Sequence, residues 1–364
     1  MTSPLSSNER EEASARAVRP GGRLAHPLVR YIAVRLGISL LLVIGVTVVT
    51  FVLTNLVPGD PVAASLGERA SSDPRIVASF RHAQGLDQPP IVQYLVYLGH
   101  LATGNLGTSI ETHNPVTADL GIAFPATAEL ALFVIVLSIV FGVGFGLVAA
   151  LNHNRIADQV IRVLSLVGIS IPTFWLALAT YYLFFYVLRL APGTGRLDPA
   201  AENPPHVTGM YTVDSLLAGR WDTFTDALGH LMLPGLVLTL FTVGLLVRFS
   251  RSAVLDVLGQ DYIRAARAKG LPTSRVVFAY LLRGSLLPIL TVVGLAFGSL
   301  LSGTVLTEQV FGWGGLGQYA YTASTSLDLP AIMGVGLVVG LVYIGTNFVI
   351  DVIYGFIDPR VRVR

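Results

Sequence analysis

The sequence predicts an all-α integral membrane protein with six transmembrane helices and both termini in the cytoplasm. Its composition, six long apolar stretches and the placement of its positive charges predict this class. Of the 364 residues, 53% are hydrophobic and only 13% are charged, whereas ordinary soluble domains carry about 25% charged residues. So few charged residues cannot cover a water-exposed surface of this size. The net charge of +2 also gives no reason to expect nucleic-acid binding.

Six apolar stretches reach or approach the length that a membrane crossing needs. A helix requires about 20 apolar residues to cross a hydrocarbon core of about 30 Å. Backbone polar groups in lipid must be satisfied within the segment, so the stretches are predicted to be helices. The first is predicted to be an uncleaved anchor, because a hydrophilic lead precedes a long apolar run. The predicted spans are 30–57, 126–151, 163–188, 231–247, 285–306 and 332–354.

The positive charges predict the orientation. Of the 24 Lys and Arg residues, 18 lie in alternate connecting segments, and cytoplasmic segments carry such an excess. The predicted cytoplasmic segments are a disordered tail at 1–29, a short loop between 151 and 163, a loop at 248–284, and the C-terminus at 355–364. The predicted extracellular loops are 58–125, 189–230 and 307–331.

The long first extracellular loop contains signals for short helices of its own. Asp73 and Pro74 form an N-cap and first-turn pair, and Pro90 opens a second helix. Apolar residues in this second helix recur at three- and four-residue spacing: Ile91, Tyr94, Leu95, Leu98 and Leu101. Such a face lies on the bilayer surface or packs on the rim of the bundle as a lid over helix ends. The spacing alone leaves both interpretations open.

The sequence lacks the residues that common catalytic and metal sites need. Cysteine is absent, which excludes disulfides and Cys-ligated metals. The single lysine, Lys269, follows alanine rather than the glycine of a phosphate-binding loop. No histidine precedes a glutamate, and no G-x-S-x-G sequence occurs. We therefore predict no catalytic residue, no metal site and no cofactor in this chain.

Ionisable residues inside the predicted spans are also few. Glu129 lies one turn into the second span, and Asp351 lies near the cytoplasmic end of the sixth. A capping or interhelical hydrogen bond is the favoured interpretation of each, although ionisable groups in spans often mark functional sites. An ion-coupled secondary transporter would need mid-membrane acidic residues and often shows internal repeats. That class is therefore the weaker alternative, and an intramembrane enzyme has no nucleophile or metal constellation to support it.

The fourth connecting loop contains the most informative segment. Residues 250–271 predict a helix that extends from the fourth span, with an apolar stripe made of Val254, Leu255, Leu258, Tyr262 and Ile263. Alanines at 265, 266 and 268 keep the helix thin, and Gly270 is a C-cap candidate. A basic amphipathic segment of this kind docks on anionic lipid headgroups or in a groove of a partner protein. Its periodicity fits both equally.

The order of residues in this segment resembles the cytoplasmic coupling loop of ABC importer permeases. Residues 261–271 read Asp-Tyr-Ile-Arg-Ala-Ala-Arg-Ala-Lys-Gly-Leu, similar to the B-type permease of dipeptide and oligopeptide importers. Arg264 stands where the general family signature has an acidic residue. Further fragments resemble the same family in order and spacing: 55–61, 104–109, 170–174, 308–317 and 358–362. The resemblance implies the type I importer permease fold, with a long extracellular loop after the first helix.

The resemblance also implies a function and a set of partners. The chain would form half of a pathway for di- or oligopeptides in a bacterial inner membrane, paired with a second, similar permease. Two ATPase subunits or domains would bind ATP and Mg²⁺, and an extracellular binding protein would deliver the solute. Nickel or another small solute remains an alternative within the family. The residues implied in coupling to the ATPase are Asp261, Tyr262, Arg264, Ala265, Ala266 and Gly270.

Two further groups of candidate residues follow from the family comparison. Polar residues of the later spans are candidates for lining the pathway, although such residues also join neighbouring helices. These residues are Thr239, Thr242, Ser302, Thr304, Thr346 and Asn347. Glu308, Gly315 and Gly317 are candidates for contact with the binding protein, and their glycines could equally form turns.

Overall fold

The computed structural model describes residues 27–56, 74–83 and 87–357. Within these ranges the chain is helical, with one isolated β-bridge between Thr108 and Pro115. Residues 1–26 of the predicted disordered tail at 1–29 lie outside the described residues, whereas 27–29 already belong to a helix. Residues 358–364 of the predicted C-terminal segment also lie outside the described residues. We name the two sides of the molecule outer and cytoplasmic according to the orientation predicted from the loop charges.

The described helices are numbered in chain order. The first eight are α1 (Pro27–Leu56), α2 (Pro74–Ala83), α3 (Pro90–Ala102), α4 (Val116–Ser138), α5 (Gly144–Leu151), α6 (Ile156–Ser170), α7 (Thr173–Tyr181) and α8 (Tyr211–Leu217). The remaining seven are α9 (Trp221–Leu258), α10 (Asp261–Ala268), α11 (Thr273–Arg275), α12 (Leu282–Gly303), α13 (Val305–Phe311), α14 (Leu316–Thr325) and α15 (Leu329–Ile357). π-helical turns join α4 to α5, extend α7, and join α11 to α12: Ile139–Val143, Tyr182–Val187 and Val276–Leu281.

Five helical stretches in the described part of the chain are long and apolar enough to cross a membrane, and a bent pair makes six if it counts as one span. The five are Val29–Leu53, Val116–Leu151, Trp221–Leu258, Thr273–Leu301 and Leu329–Ile357. Four of them, those of the second, fourth, fifth and sixth spans, are longer than predicted. The helix of the second span begins at Val116, inside the predicted loop, and the helix of the fourth extends beyond both ends of 231–247. Hydropathy detects only the lipid-embedded part of a helix, so it does not predict the water-exposed turns at the helix ends.

The third span differs from the single helix expected at 163–188. Two helical pieces occupy this region, α6 and the stretch Thr173–Val187, and they are bent by 92° relative to each other. Ile171 is extended, with φ −84° and ψ 125°, because a following proline disfavours helical geometry in the preceding residue. Pro172 also lacks the N–H that a continuing helix would use. The apolar run therefore contains a sharp break.

The predicted helix at 250–271 is likewise two helices rather than one. Helix α9 ends at Leu258, and Gln260 is extended with ψ 147° before α10 begins. Gly259 lowers helix propensity at the break. Asp261 stands in the first turn of α10, where a negative charge is favoured. The segment is therefore not a rigid extension of the fourth span.

Helix α9 is the centre of the fold. It packs against α4, α5, α6 and α12, and its buried Leu231 and Leu238 share a core with Leu130, Leu300 and Trp313. Helices α6 and α9 approach very closely, because a Cβ on Gly244 would lie 2.6 Å from the carbonyl oxygen of Ser165. Small residues permit such crossings in membranes. Helix α1 lies at the edge and packs chiefly on α15.

Candidate coupling surface and translocation cavity

Helix α10 is anchored on one side by two buried residues. Ile263 is fully buried and Ala266 is 5% exposed. Both pack in a cluster with Val254 of α9 and with Leu281, which leads into α12. Burying an aliphatic side chain of this size contributes about 1.5–3 kcal/mol. The cluster therefore fixes α10 to two long helices at once.

The C-terminus of α10 ends in a turn that requires glycine. Gly270 has φ +72°. Its N–H donates to the carbonyl of Arg267 at 2.9 Å, and the N–H of Leu271 donates to the carbonyl of Ala266 at 3.4 Å. These two bonds form a Schellman motif, in which glycine adopts the left-handed conformation without a Cβ penalty. The expectation that the helix stops at Gly270 agrees with this geometry.

The other side of α10 faces outward. Of the six residues implied in coupling, the structure exposes Asp261, Tyr262, Arg264, Ala265 and Gly270. The guanidinium of Arg264 pairs with the carboxylate of Asp261 one turn away. The hydroxyl of Tyr262 lies over Gly284 of α12, where a Cβ would be 2.5 Å from it.

Ala266 requires a correction. The sequence places it among the alanines that keep the helix thin, whereas in the structure its methyl group packs in a buried cluster of the chain. The helical period places residue 266 on the same side as Ile263. Ala266 therefore anchors α10, and the small exposed residues are Ala265 and Ala268.

A buried ion pair holds the cytoplasmic end of α9 against α6. Arg251 donates from Nε to Asp158 at 2.6 Å and from Nη2 at 2.8 Å. Asp158 is fully buried and also accepts the N–H of Asn154 at 2.9 Å. Our sequence reasoning missed this pair, because its partners are 93 residues apart. The available signal was an acidic residue at the start of a helix.

A cavity of about 440 Å³ lies beside the break between α6 and α7. Thr242 of α9 and Thr304, at the end of α12, both line it, together with the hydroxyl-bearing residues Ser170, Thr173 and Ser299. Thr242 donates to the carbonyl of Leu238 at 2.8 Å. Two predicted pathway residues therefore meet at one cavity.

Three of the other predicted pathway residues, Thr239, Thr346 and Asn347, do not line this cavity. Thr239 is buried in α9, and its hydroxyl has no hydrogen-bond partner in the described structure. Thr346 and Asn347 are half-buried on α15, and Asn347 donates to the carbonyl of Tyr343 at 2.9 Å. The side chain of Ser302 is outside the described part of the chain.

The three residues predicted to contact a binding protein are buried. Glu308 is 0% exposed, and its Oε1 accepts hydrogen bonds from the hydroxyls of Thr127 at 2.7 Å and Thr304 at 2.8 Å. Its Oε2 accepts the N–H of Gln318 at 3.1 Å. Gly315 and Gly317 are also buried, and a Cβ on Gly317 would lie 2.7 Å from the Cα of Val305. In this structure they build the interior of a turn and offer no surface to a partner.

A second buried ion pair joins the outer loop to α4. Arg196 donates from Nη2 to Glu129 at 2.6 Å and to the carbonyl of Gly209 at 2.8 Å. Its guanidinium carbon lies 3.8 Å from the ring centroid of Tyr211. The N–H and hydroxyl of Thr212 both donate to Glu129 at 2.6 Å. The outer loop between α7 and α8 is thus firmly attached to α4.

Both carboxylates noted inside the spans are therefore paired with arginine. Asp351 lies 2.8 Å from Arg35 of α1, and Glu129 lies 2.6 Å from Arg196. This arrangement agrees with the interhelical interpretation. Among the described residues, no group of three or more His, Cys, Asp or Glu side chains is placed to hold a metal ion.

Family models match the chain from end to end of its membrane region. Residues 142–363 match the model described as "Binding-protein-dependent transport system inner membrane component", and residues 28–135 match the N-terminal model of such membrane components. The chain belongs to this family. The resemblance to ABC importer permeases is thereby confirmed, and the chain is a multi-pass component of an inner membrane.

Curated relatives of this permease family cover nearly the whole chain. The probable D,D-dipeptide transport system permease protein DdpB of Escherichia coli K12 is 46% identical, over 88% of this chain and 94% of that protein. The di/tripeptide transport system permease protein DppB of Pseudomonas aeruginosa is 43% identical, over 92% of this chain and 99% of that protein. The dipeptide transport system permease protein DppB of E. coli K12 is 37% identical, over 92% of this chain and 99% of that protein.

A solved structure is similar at a lower level. A chain of the MetNI methionine ABC transporter in an inward-facing conformation matches with a TM-score of 0.44 and 16% identity, over 62% of this permease and 91% of that chain. So low a score adds nothing to the assignment.

Proposed function

We propose that this permease forms one half of the transmembrane pathway of an ATP-driven importer of di- and oligopeptides. The names of the three curated relatives support the substrate class. The structural observation that carries the proposal is α10, a short helix that is anchored by Ile263 and Ala266 and exposes Asp261, Arg264 and Ala265. Such a helix is suited to sit in a groove on a partner protein.

The partners supply what this chain lacks. A second, similar permease would complete the pathway, and two ATPase subunits or domains would bind ATP and Mg²⁺. An extracellular binding protein would deliver the peptide. Because this chain has no phosphate-binding loop, nucleotide hydrolysis is assigned to the ATPases and force reaches the permease through α10.

The contacts of α10 suggest how force would reach the pathway. Ile263 shares a buried cluster with Val254 of α9 and Leu281 before α12. Helix α9 contributes Thr242 to the cavity at the α6–α7 break, and Thr304 follows α12 at the same cavity. A displacement of α10 would therefore move two walls of this cavity together. We assign the cavity to the peptide pathway.

A reconstitution experiment tests the proposal. The chain is co-expressed with its second permease, ATPases and binding protein, and uptake of labelled dialanine into vesicles is measured with and without ATP. We expect uptake only with ATP and all partners present. Accumulation by the single chain under an ion gradient would favour a secondary transporter. Uptake of Ni²⁺ without uptake of peptide would favour the other solute class.

A further inference from the structure

Helix α3 exposes an apolar surface that no described residue covers. Its 13 residues include no Asp, Glu, Lys or Arg. Ile91 is 71% exposed, Leu95 61% and Val96 43%. A helix that faces water carries charged or polar residues on that side. The outward side of α3 therefore requires an apolar environment.

The inward side of α3 is attached to α1. The rings of Tyr94 and Tyr97 lie 5.4 Å and 5.9 Å from the ring of Phe51. The hydroxyl of Tyr94 is 2.9 Å from that of Thr47. Thr47 precedes the end of α1 at Leu56 by nine residues, or about 14 Å of helix. Helix α3 thus lies beside the outer portion of a membrane-spanning helix.

The segment after α3 returns to the outer end of α15. Asp328, just before α15, accepts the N–H of Ile110 at 2.8 Å. Ser109 and Asp328 are both buried at this contact. The C-terminus of α3 is therefore only a few residues from a polar turn that sits on the outer end of another span. The C-terminal end of α3 is thus placed at the outer rim of the bundle.

We propose that α3 lies in the outer leaflet of the bilayer, with Ile91, Leu95 and Val96 against phospholipid acyl chains. At about 1.5 Å per residue, 13 residues extend about 20 Å and cannot cross a core of about 30 Å. Helix α1, against which α3 packs, also exposes apolar side chains, which include Leu41, Leu42 and Val49. Tyrosines are enriched at this depth.

This placement decides between the two interpretations that the spacing left open. A lid over helix ends would turn Ile91 and Leu95 toward the bundle. Here the side chains nearest α1 are those of Tyr94 and Tyr97, and Ile91 and Leu95 point away. An interfacial helix buries this kind of apolar face at the boundary between headgroups and acyl chains.

Site-directed spin labelling tests the proposal, because the chain has no cysteine of its own. The assembled transporter carrying Leu95→Cys with a nitroxide is reconstituted in vesicles of phosphatidylethanolamine and phosphatidylglycerol. Collision rates with oxygen, which partitions into lipid, and with a water-soluble nickel chelate are measured. We expect a several-fold higher ratio of oxygen to nickel collisions than at Glu111→Cys, an exposed position in the next turn.

Each other outcome overturns the proposal. Nickel access at Leu95→Cys equal to that at Glu111→Cys would place α3 in water. Protection from both reagents would place the surface against protein, such as the second permease or the binding protein. Val96→Cys, on the same exposed side, replaces Leu95→Cys if the first variant does not assemble. A label at Leu98, which is half-buried toward α1, should be protected from both reagents.

Discussion

The carboxylate of Glu308 and the hydroxyl of Thr127 lie 2.7 Å apart although 181 residues separate them in the chain. The same carboxylate accepts the hydroxyl of Thr304 at the wall of the cavity and the N–H of Gln318 in the outer turn. One side chain therefore connects α4, the cavity wall and the first turn of α14. The turn from Gly314 to Gln318 depends on this carboxylate.

Glu308→Gln should destabilise the protein by roughly 1–3 kcal/mol, because the amide group cannot accept all three hydrogen bonds and leaves a buried donor unsatisfied. Thermal unfolding of the purified transporter measures the effect. Glu111→Gln, an exposed position, is the matched control and should leave the Tm unchanged. An unaltered Tm in Glu308→Gln would contradict the role assigned to this carboxylate.

Arg196→Gln should loosen the outer loop, because it leaves Glu129 buried without its positive partner. Breaking a buried ion pair by removing one partner lowers the free energy of unfolding by about 3–5 kcal/mol. We expect faster proteolysis of the segment between α7 and α8 when protease is added from the outer side. Arg220→Gln is the control, since its partner Glu202 is exposed and 3.5 Å away, and exposed pairs contribute little. Equal cleavage of both variants would contradict the proposal that the Arg196–Glu129 pair holds the outer loop in place.

Ala265→Trp and Ala266→Trp should fail in different ways. Ala265 is exposed, so the first variant should fold normally and lose most of its association with the ATPase. Ala266 is buried, so the second variant should overpack the core and lower stability by about 1–3 kcal/mol. Co-purification of the ATPase and the Tm of each variant separate these outcomes. Normal association of the ATPase with the Ala265→Trp variant would contradict the assignment of α10 as the helix that binds the ATPase.

The acid response of the outer loop should depend on Asp214. Burial raises the pKa of this carboxyl, but hydrogen bonds from the Thr208 hydroxyl and from the N–H groups of Thr208, Gly209 and Val207 outweigh it, so the pKa is lowered. A lowered pKa stabilises the fold above the unfolded value of about 3.9, and that stabilisation is lost as pH falls through the folded value. The contribution of Asp214 to the stability of the loop should therefore be complete above about pH 4 and should decline below it.

Asp214→Asn measures this contribution. The Tm difference from the unmodified protein should be largest at neutral pH and should shrink as the pH falls below about 4. Asp222→Asn, at an exposed position of α9, should show a small difference at every pH. A Tm difference for Asp214→Asn that is constant down to pH 2 would be inconsistent with the lowered pKa.

Gly270→Ala should destabilise the end of α10 by about 1 kcal/mol, because alanine at φ +72° is strained. Hydrogen exchange at the amides of Gly270 and Leu271, which close the helix, reports the change locally. Gly259 has an ordinary φ of −75°, so the control variant Gly259→Ala should show no loss of protection at these two amides. Equal protection at residue 270 and Leu271 in the variant and the unmodified protein would argue against the left-handed turn.

Local properties of the sequence predicted five long apolar helices and the end of α10, because hydropathy and glycine conformation act within a few residues. The break at Pro172 was also present in the sequence, as a proline inside an apolar run. By contrast, the inward orientation of Ala266 depends on which side of α10 meets α9. The pairs Arg251–Asp158 and Arg196–Glu129 depend on contacts between distant segments, which a single sequence does not display.

The position of α1 has a consequence for biosynthesis. Its chief neighbour is α15, and the hydroxyl of Tyr31 donates to the carbonyl of Asp351, 320 residues later. During translation α1 enters the membrane first, and it can pack against α15 only after α15 has left the ribosome. A chain that terminates before α15 would leave α1 in the membrane without its main packing partner. We expect quality-control proteases to degrade such a chain.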